Sequence, residues 1–319
     1  MMLTRQLGRS GIDVSAMGLG CWAIGGPIWR DGEPRGWGDV DDSESVRAIH
    51  RALDLGVTFF DTADVYGAGH SEHIVGQALA GRRDRVVIAT KFGNTFDEAT
   101  RTGTGTDASP DYIRRACNAS LRRLQTDYID LYQFHVGNYD PVEAGIVRDV
   151  LEDLVAAGKI RAYGWSTDDP DRARIFAEGP HCSAIQQRLN IFEGNQQTLT
   201  VCEELNLASV NRGPLGMGLL TGKFNADSVL PASDVRHDWN LREGERAERL
   251  AKLQALRDVL VSDGRTLAQA ALGWLWARSD KTVPIPGFKT VGQVEENAGA
   301  MRFGMLSEEQ MEMVQAAAA

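Results

Sequence analysis

Short apolar runs and helical stretches alternate along the whole chain, and that alternation restricts the fold more than any other feature. The apolar runs are VSAMGLG (14–20), VTFFD (57–61), RVVIATK (85–91), DYIDLYQFH (127–135), IRAYGWS (160–166), SAIQQ (183–187), LASVNRG (207–213) and TVPIPG (282–287). Stretches such as VTFF and RVVIA are almost continuously apolar, which fits strands buried on both faces. Helices are expected at 41–56, 71–81, 109–124, 141–158, around 170–177, 194–206, 244–262 and 266–278, with a C-terminal helix opening at Ser307. Ser109 before Pro110 is a strong start signal, because the hydroxyl caps an orphan amide and proline tolerates the first turn. Gly56, Gly81 and Gly158 stop their helices. Ser307 followed by Gln310 reads as a capping box. Strands that alternate with helices pair in parallel, and eight such units predict a closed (β/α)8 TIM barrel, an α/β fold. No shift in composition marks a linker, so residues 1–319 read as one domain. LTRQLGRSGIDV (3–14) is expected to form an N-terminal β-hairpin plugging the barrel bottom, and 214–243 to be irregular.

Bulk properties exclude several classes. Acidic residues outnumber basic ones by 44 to 34, a net charge of −10, so no basic footprint supports nucleic-acid binding. No segment reaches the roughly 18 apolar residues that span a bilayer, and the first residues lack a signal-peptide core. Cys21, Cys117, Cys182 and Cys202 are widely spaced, as expected of thiols in a reducing compartment, and a cytoplasmic location follows. His70 and His73 lack a ligand-rich partner segment, so no metal is expected. The cluster Arg82, Arg83 and Arg85 reads as a solvated loop. Gly18-Leu19-Gly20-Cys21-Trp22-Ala23 mimics a dinucleotide fingerprint, but the following Gly25-Gly26-Pro27 denies it a helix N-terminus. Gly216–Lys223 mimics a phosphate loop with the wrong glycine spacing, and Phe224 follows its lysine.

Chemistry in such a barrel belongs at the C-terminal ends of the strands. The second expected strand ends in Asp61 with Tyr66 in its loop, the third ends in Lys91, and the fourth in His135. A phenol with its ordinary pKa of about 10 is a poor proton donor and acceptor near neutrality. The Lys91 ammonium is expected to lower that pKa, with Asp61 holding the ammonium in place. His135 can hydrogen-bond a carbonyl oxygen on which negative charge develops. No side chain delivers hydride, so a redox cofactor is required.

DTADVYG (61–67), ATKFG (89–93) and FHVG (134–137) resemble the catalytic segments of the aldo-keto reductase superfamily. LGRSGIDVSAMGLGCW (7–22), GWS (164–166), PLGMGLLTGKF (214–224) and IPGFKTVGQVEEN (285–297) resemble its N-terminal and cofactor-binding segments. The resemblance runs from about residue 7 to residue 306. It implies NAD(P)H-dependent reduction of an aldehyde, ketone or sugar carbonyl, or the reverse oxidation, with the cofactor bound outside any Rossmann fold. Tyr66 would donate the proton, supported by Asp61 and Lys91, while His135 orients the substrate. Trp22, Ser166, Thr167 and Gln186 would meet the cofactor, Ser166 and Gln186 at its carboxamide. Arg212, Gly213, Pro214, Leu215, Gly216, Gly218 and Lys223 would line its middle, with 213–223 wrapping the pyrophosphate. Gly287, Phe288, Lys289, Gln293, Glu296 and Asn297 would take the adenosine end. Thr167 stands where the family often has Asn, and Arg212 where many members stack an aromatic ring on the nicotinamide. Lys289 is the main cation left for a 2′-phosphate, so NADP(H) is favoured and NAD(H) use stays open. The loop 29–39 is a candidate lid, and Trp22, Trp29, Trp37, Phe92 and Trp239 a candidate substrate wall. Competing readings are a non-catalytic NADP-binding redox sensor or regulatory subunit, and a sugar isomerase or aldolase on another barrel. Substrate, direction and oligomeric state, a homo-oligomer included, are left open.

Overall fold

The computed structural model describes residues 3–318. Eight parallel strands follow one another in chain order: β1 (Gly18–Gly20), β2 (Phe59–Asp61), β3 (Val87–Phe92), β4 (Ile129–Phe134), β5 (Ile160–Ser166), β6 (Cys182–Asn190), β7 (Ala208–Arg212) and β8 (Thr282–Pro284). A parallel bridge between Gly20 and Gly287 closes the ring, and Gly20 N donates to Pro286 O at 3.0 Å. A Cβ at position 20 would stand 2.7 Å from Ile285 O, so only glycine lets the barrel close there. This accounts for the glycine pair that mimics a dinucleotide loop: it is followed by a 3-10 turn at Ala23–Gly25, with no α-helix before Asp42.

The strand period of two sorts the side chains. Phe59, Val87, Ala89, Leu131, Ala162, Ala184, Ala208, Val210, Val283 and Ile285 point inward and pack on Leu7, Ile12 and Val14. Those three come from the antiparallel hairpin Thr4–Gln6/Asp13–Ser15, the expected plug. The run 14–20 is therefore two strands, its first residues pairing in the hairpin and its last three in the barrel. The Arg9 guanidinium ties the plug to the wall, donating to the carbonyls of Ala177, Gly179 and Cys182 at 2.6–2.7 Å. A larger apolar layer fills the space between barrel and helices. It takes Phe92, whose ring stacks on Tyr132 at 4.5 Å, so Phe92 does not belong to the substrate wall.

Two features depart from expectation. Helix Val291–Phe303 follows β8 and packs between helices Asp42–Asp54 and Leu267–Arg278, completing the outer ring. Its buried residues are Val294, Asn297, Ala298 and Ala300, so it lacks the broad apolar stripe that marks helices in a sequence. The expected helix capped by Ser307 and Gln310 is present beyond it. Second, the loops after β1 and β3 are ordered into a four-stranded sheet: Trp29–Arg30 pairs with Glu33–Pro34 and with Thr102–Thr106, which pairs with Asn94–Asp97. Arg83 is not simply solvated either. It donates to Asp130 Oδ2 at 2.6 Å and lies 3.8 Å over the Tyr128 ring. All four cysteines are free and buried. Among the described residues no helix is long and apolar enough to cross a membrane, and no group of three metal-binding side chains converges.

Candidate active site

One step above the apolar interior the same alternation turns polar. Asp61 of β2, Lys91 of β3, Gln133 of β4 and Gln186 of β6 meet at the C-terminal mouth. Register sets their heights: Lys91 lies beside Gln133, and Gln186 beside Ser166. The Lys91 ammonium, with no exposure, donates to Asp61 Oδ1 at 2.5 Å, Thr62 O at 2.8 Å and Tyr66 Oη at 3.3 Å. Gln133 and Gln186 donate their amides to Asp61 Oδ2 at 2.9 and 2.8 Å. Every donor hydrogen of the ammonium thus has an acceptor, and the carboxylate is saturated, which is how a buried ion pair is tolerated. Burial pulls the Lys91 pKa down, but the Asp61 carboxylate and the Tyr66 oxygen outweigh it and the net shift is upward.

Tyr66 sits in a tight turn between β2 and helix His70–Leu79. Ser71 Oγ pins the turn by donating to Cys21 O and accepting from Thr62 Oγ1, both at 2.8 Å. Gly67, at φ 61°, lets the turn press on Gly25; a Cβ there would lie 1.8 Å from Gly25 O. Behind it Glu72, fully buried, accepts from Thr90 Oγ1 at 2.5 Å and Arg123 Nε at 2.7 Å. The Tyr66 ring lies between Trp22 (5.9 Å, interplanar 25°) and His135 (5.9 Å, 82°). Its pKa departs from the sequence expectation: burial raises it above the ordinary value, and the Lys91 charge only partly counters this. The phenol therefore keeps its proton. His135 is pushed well below its usual pKa by burial, then by Lys91 and Arg212, so its ring is neutral. Its Nδ1 is buried and has no hydrogen-bond partner among the described residues.

These groups open into a cleft of about 1070 Å³ whose lining includes Trp22, Trp29 and Trp37, the mouth residues Tyr66, His135, Ser166 and Gln186, and Lys223, Lys289 and Asn297. Sixteen of the seventeen residues assigned to the cofactor on resemblance line it: Trp22, Ser166, Gln186, Arg212, Gly213, Pro214, Leu215, Gly216, Gly218, Lys223, Gly287, Phe288, Lys289, Gln293, Glu296 and Asn297. Thr167 is the exception. Its hydroxyl donates to Gly137 O at 3.0 Å, and it lines a separate shallow hollow beside Arg212. Lys289 Nζ is engaged by the backbone of the loop after β1, donating to Trp37 O at 2.5 Å and Asp39 O at 3.1 Å, while Gln293 Oε1 accepts from Lys289 N at 2.7 Å.

The sequence reading passes over two contributors. Gln133, two residues before His135 on an inward face, follows from the alternation alone. Arg236 carries no such signal. It lies in the irregular stretch after β7, chelates Asp234 at 2.8 and 2.7 Å, donates to Met217 O at 2.9 Å and lies 4.3 Å from the Trp37 ring centroid. Burial lowers the pKa of both Lys223 and Lys289, and the charge of Arg236 pushes both down further. A cationic group of this kind, with Asp234 already claimed by Arg236, suits an extended anionic ligand.

Residues 16–319 match the model of the aldo/keto reductase family. The aldo-keto reductase YhdN of Bacillus subtilis is 32% identical, over 97% of this chain and 91% of that protein. The glycerol dehydrogenase AKR11B4 from Gluconobacter oxydans superposes with a TM-score of 0.84 at 34% identity, covering 98% of this chain and 94% of that one. An aldo-keto reductase from Klebsiella pneumoniae in complex with NADPH superposes with a TM-score of 0.72 at 27% identity, covering 99% and 95%. With its barrel, its mouth of Asp61, Tyr66, Lys91 and His135, and these likenesses together, the chain belongs to the aldo/keto reductase family.

Proposed function

We propose that the protein catalyses NADP(H)-dependent interconversion of a small carbonyl compound and its alcohol, with Tyr66 as general acid and base. The observation that carries this is the buried Asp61–Lys91–Tyr66 chain ending at a neutral His135. A bound reduced nicotinamide supplies hydride to the carbonyl carbon. The protein's part is to receive the charge that moves onto the carbonyl oxygen. A neutral His135 donates a hydrogen bond to that oxygen without competing for the proton. Tyr66 transfers its phenolic proton as the alkoxide develops, leaving a phenolate beside the Lys91 ammonium. That ammonium is held charged by Asp61, so the new anion forms next to a cation already in place. Solvent then returns the proton to Tyr66; the oxidation runs the same path backwards.

The donor set suits NADP(H): Lys223, Lys289 and Arg236 line the same cleft as Tyr66, and the charge of Arg236 reaches both lysines. The Klebsiella relative held NADPH, in keeping with this choice. Trp22, Trp29, Trp37 and Trp239 give the substrate an apolar, ring-rich wall. A cytoplasmic enzyme acting on a diffusible small molecule fits the acidic chain and its free thiols. A regulatory NADP-binding role is less well supported, because such a protein would not need a fully hydrogen-bonded acid–base chain.

The test is a panel of aldehydes, ketones and sugars with NADPH and NADH, using Tyr66→Phe as control. We expect turnover with NADPH and a loss of about 10²–10⁴-fold in kcat in the variant, with cofactor affinity unchanged. Turnover that survives Tyr66→Phe at more than a tenth of the original rate removes Tyr66 from the mechanism.

A further inference from the structure

Arg212 ends β7, two residues beyond the inward-facing Val210, so its side chain lies over the barrel mouth. It lines the same cleft as Tyr66, His135, Ser166 and Gln186. Its Nη2 is bonded to Asp168 Oδ2, while Nε and Nη1 have no partner among the described residues. Asp168 is itself fixed. Its Oδ1 accepts from Arg188 N at 2.6 Å, and its carbonyl accepts from Asn195 Nδ2 at 3.0 Å and Thr198 Oγ1 at 2.7 Å. The cation is thus held by one anchored carboxylate at the edge of the cleft that Arg212 lines. Tyr66 and His135 both feel its charge.

Hydride must reach the carbon whose oxygen Tyr66 protonates, so the reactive ring of the cofactor has to occupy the space these side chains enclose. The oxidised nicotinamide ring carries a positive charge and the reduced ring carries none. A fixed cation in a part-buried cleft therefore raises the energy of the oxidised complex and leaves the reduced one nearly untouched. We propose that the Arg212–Asp168 pair makes the protein discriminate between the two redox states of its cofactor, holding the reduced form more tightly than the oxidised form. Arg212 supplies the discrimination and Asp168 moderates it. This rests on the reading that the cleft takes a nicotinamide nucleotide. Its effect is to hasten parting from the spent cofactor after each reduction.

The test measures Kd for NADP+ and for NADPH by protein-fluorescence quenching, without substrate. Wild type is compared with Arg212→Gln, Arg212→Lys and Asp168→Asn, each checked for an unchanged thermal melt. In Asp168→Asn the side-chain oxygen can still accept from Arg188 N, while the amide in place of Oδ2 removes both the counter-charge and the bond to Arg212 Nη2. We expect the ratio Kd(NADP+)/Kd(NADPH) to fall about tenfold in Arg212→Gln, about 1.4 kcal/mol. Arg212→Lys should stay within about threefold of wild type, and Asp168→Asn should raise the ratio severalfold. Opposite signs for the two charge removals are what a merely structural role would not produce. A ratio unmoved in Arg212→Gln, or moved the same way in Arg212→Gln and Asp168→Asn, overturns the proposal. Wild-type protein that quenches with neither nucleotide overturns the cofactor reading beneath it.

Discussion

Replacing Asp61 by Asn would leave the Lys91 ammonium inside the barrel without its counter-charge. Lys91 has no exposure, and its acceptors would all be neutral: the asparagine oxygen, Thr62 O at 2.8 Å and Tyr66 Oη at 3.3 Å. The asparagine would also present an amide to a site where Gln133 and Gln186 already donate. Breaking a buried pair in this way costs about 3–5 kcal/mol at neutral pH. The alternative open to the variant is to fold with Lys91 neutral. At 1.36 kcal/mol per unit, a penalty of about 4 kcal/mol corresponds to a folded-state pKa about 3 units below the unfolded value of about 10.4. The sign then follows from linkage. In wild type the folded pKa is raised, so the pair's contribution is complete at all pH values below the unfolded pKa and is lost only above it. In the variant the folded pKa is depressed, so the unfolded state binds the extra proton between about pH 7.5 and 10, and stability climbs with pH. For 319 residues, 4 kcal/mol is about 6 °C in Tm. Differential scanning fluorimetry of both proteins at pH 7, 8 and 9.5 should give a wild-type-minus-variant gap near 6 °C at pH 7 that closes by about two thirds at pH 9.5. A gap that is constant across this range would refute the claim that Lys91 is held charged by Asp61.

Three further outcomes are expected. Because the Tyr66 phenol is raised and His135 depressed, kcat for reduction should be flat from pH 6 to 9, falling only as the phenol ionises above its ordinary 10, while the oxidation rate rises over that upper range; an inflection near pH 7 would contradict it. Lys289→Met should weaken NADPH about tenfold and NADH far less, as measured by fluorescence titration, since an ammonium–phosphate contact is lost only for the former; equal losses would remove Lys289 from the 2′-phosphate. The four buried thiols, with Cys117 pushed up to about 12 by burial, should resist a thiol reagent at pH 8 in the native state and react fully once unfolded; fast labelling of any one would place it at a mobile surface.

How much of this was legible depends on whether the signal is local. The barrel strands announce themselves because both faces are buried, which writes an apolar run such as RVVIA directly into the chain. Asp61, Lys91 and His135 are readable as breaks in those runs at strand ends, and Gln133 follows from the same period. The altered Tyr66 pKa is not readable. Adjacent charges can be inferred from sequence, but the depth of burial that outweighs them is a property of the assembled pocket. The sheet over the mouth escapes for another reason. Its strands include Trp29–Arg30, Glu33–Pro34 and the glycine-rich TGTGT run, and they pair across loops of different βα units. Arg236 escapes because it makes contacts distant in sequence, to Met217 and Trp37, from a stretch with no period.

The bonds from Lys289 Nζ to the carbonyls of Trp37 and Asp39, with Val235 N donating to Gly36 O at 2.8 Å, fasten the loop after β1 to the loop after β7 and to the β8 end of the cleft. A ligand that needs the same ammonium must wait for that fastening to release. Entry then becomes a gated event: the observed association rate should level off as cofactor concentration rises, and the plateau should report how often the loops part, not how fast molecules collide.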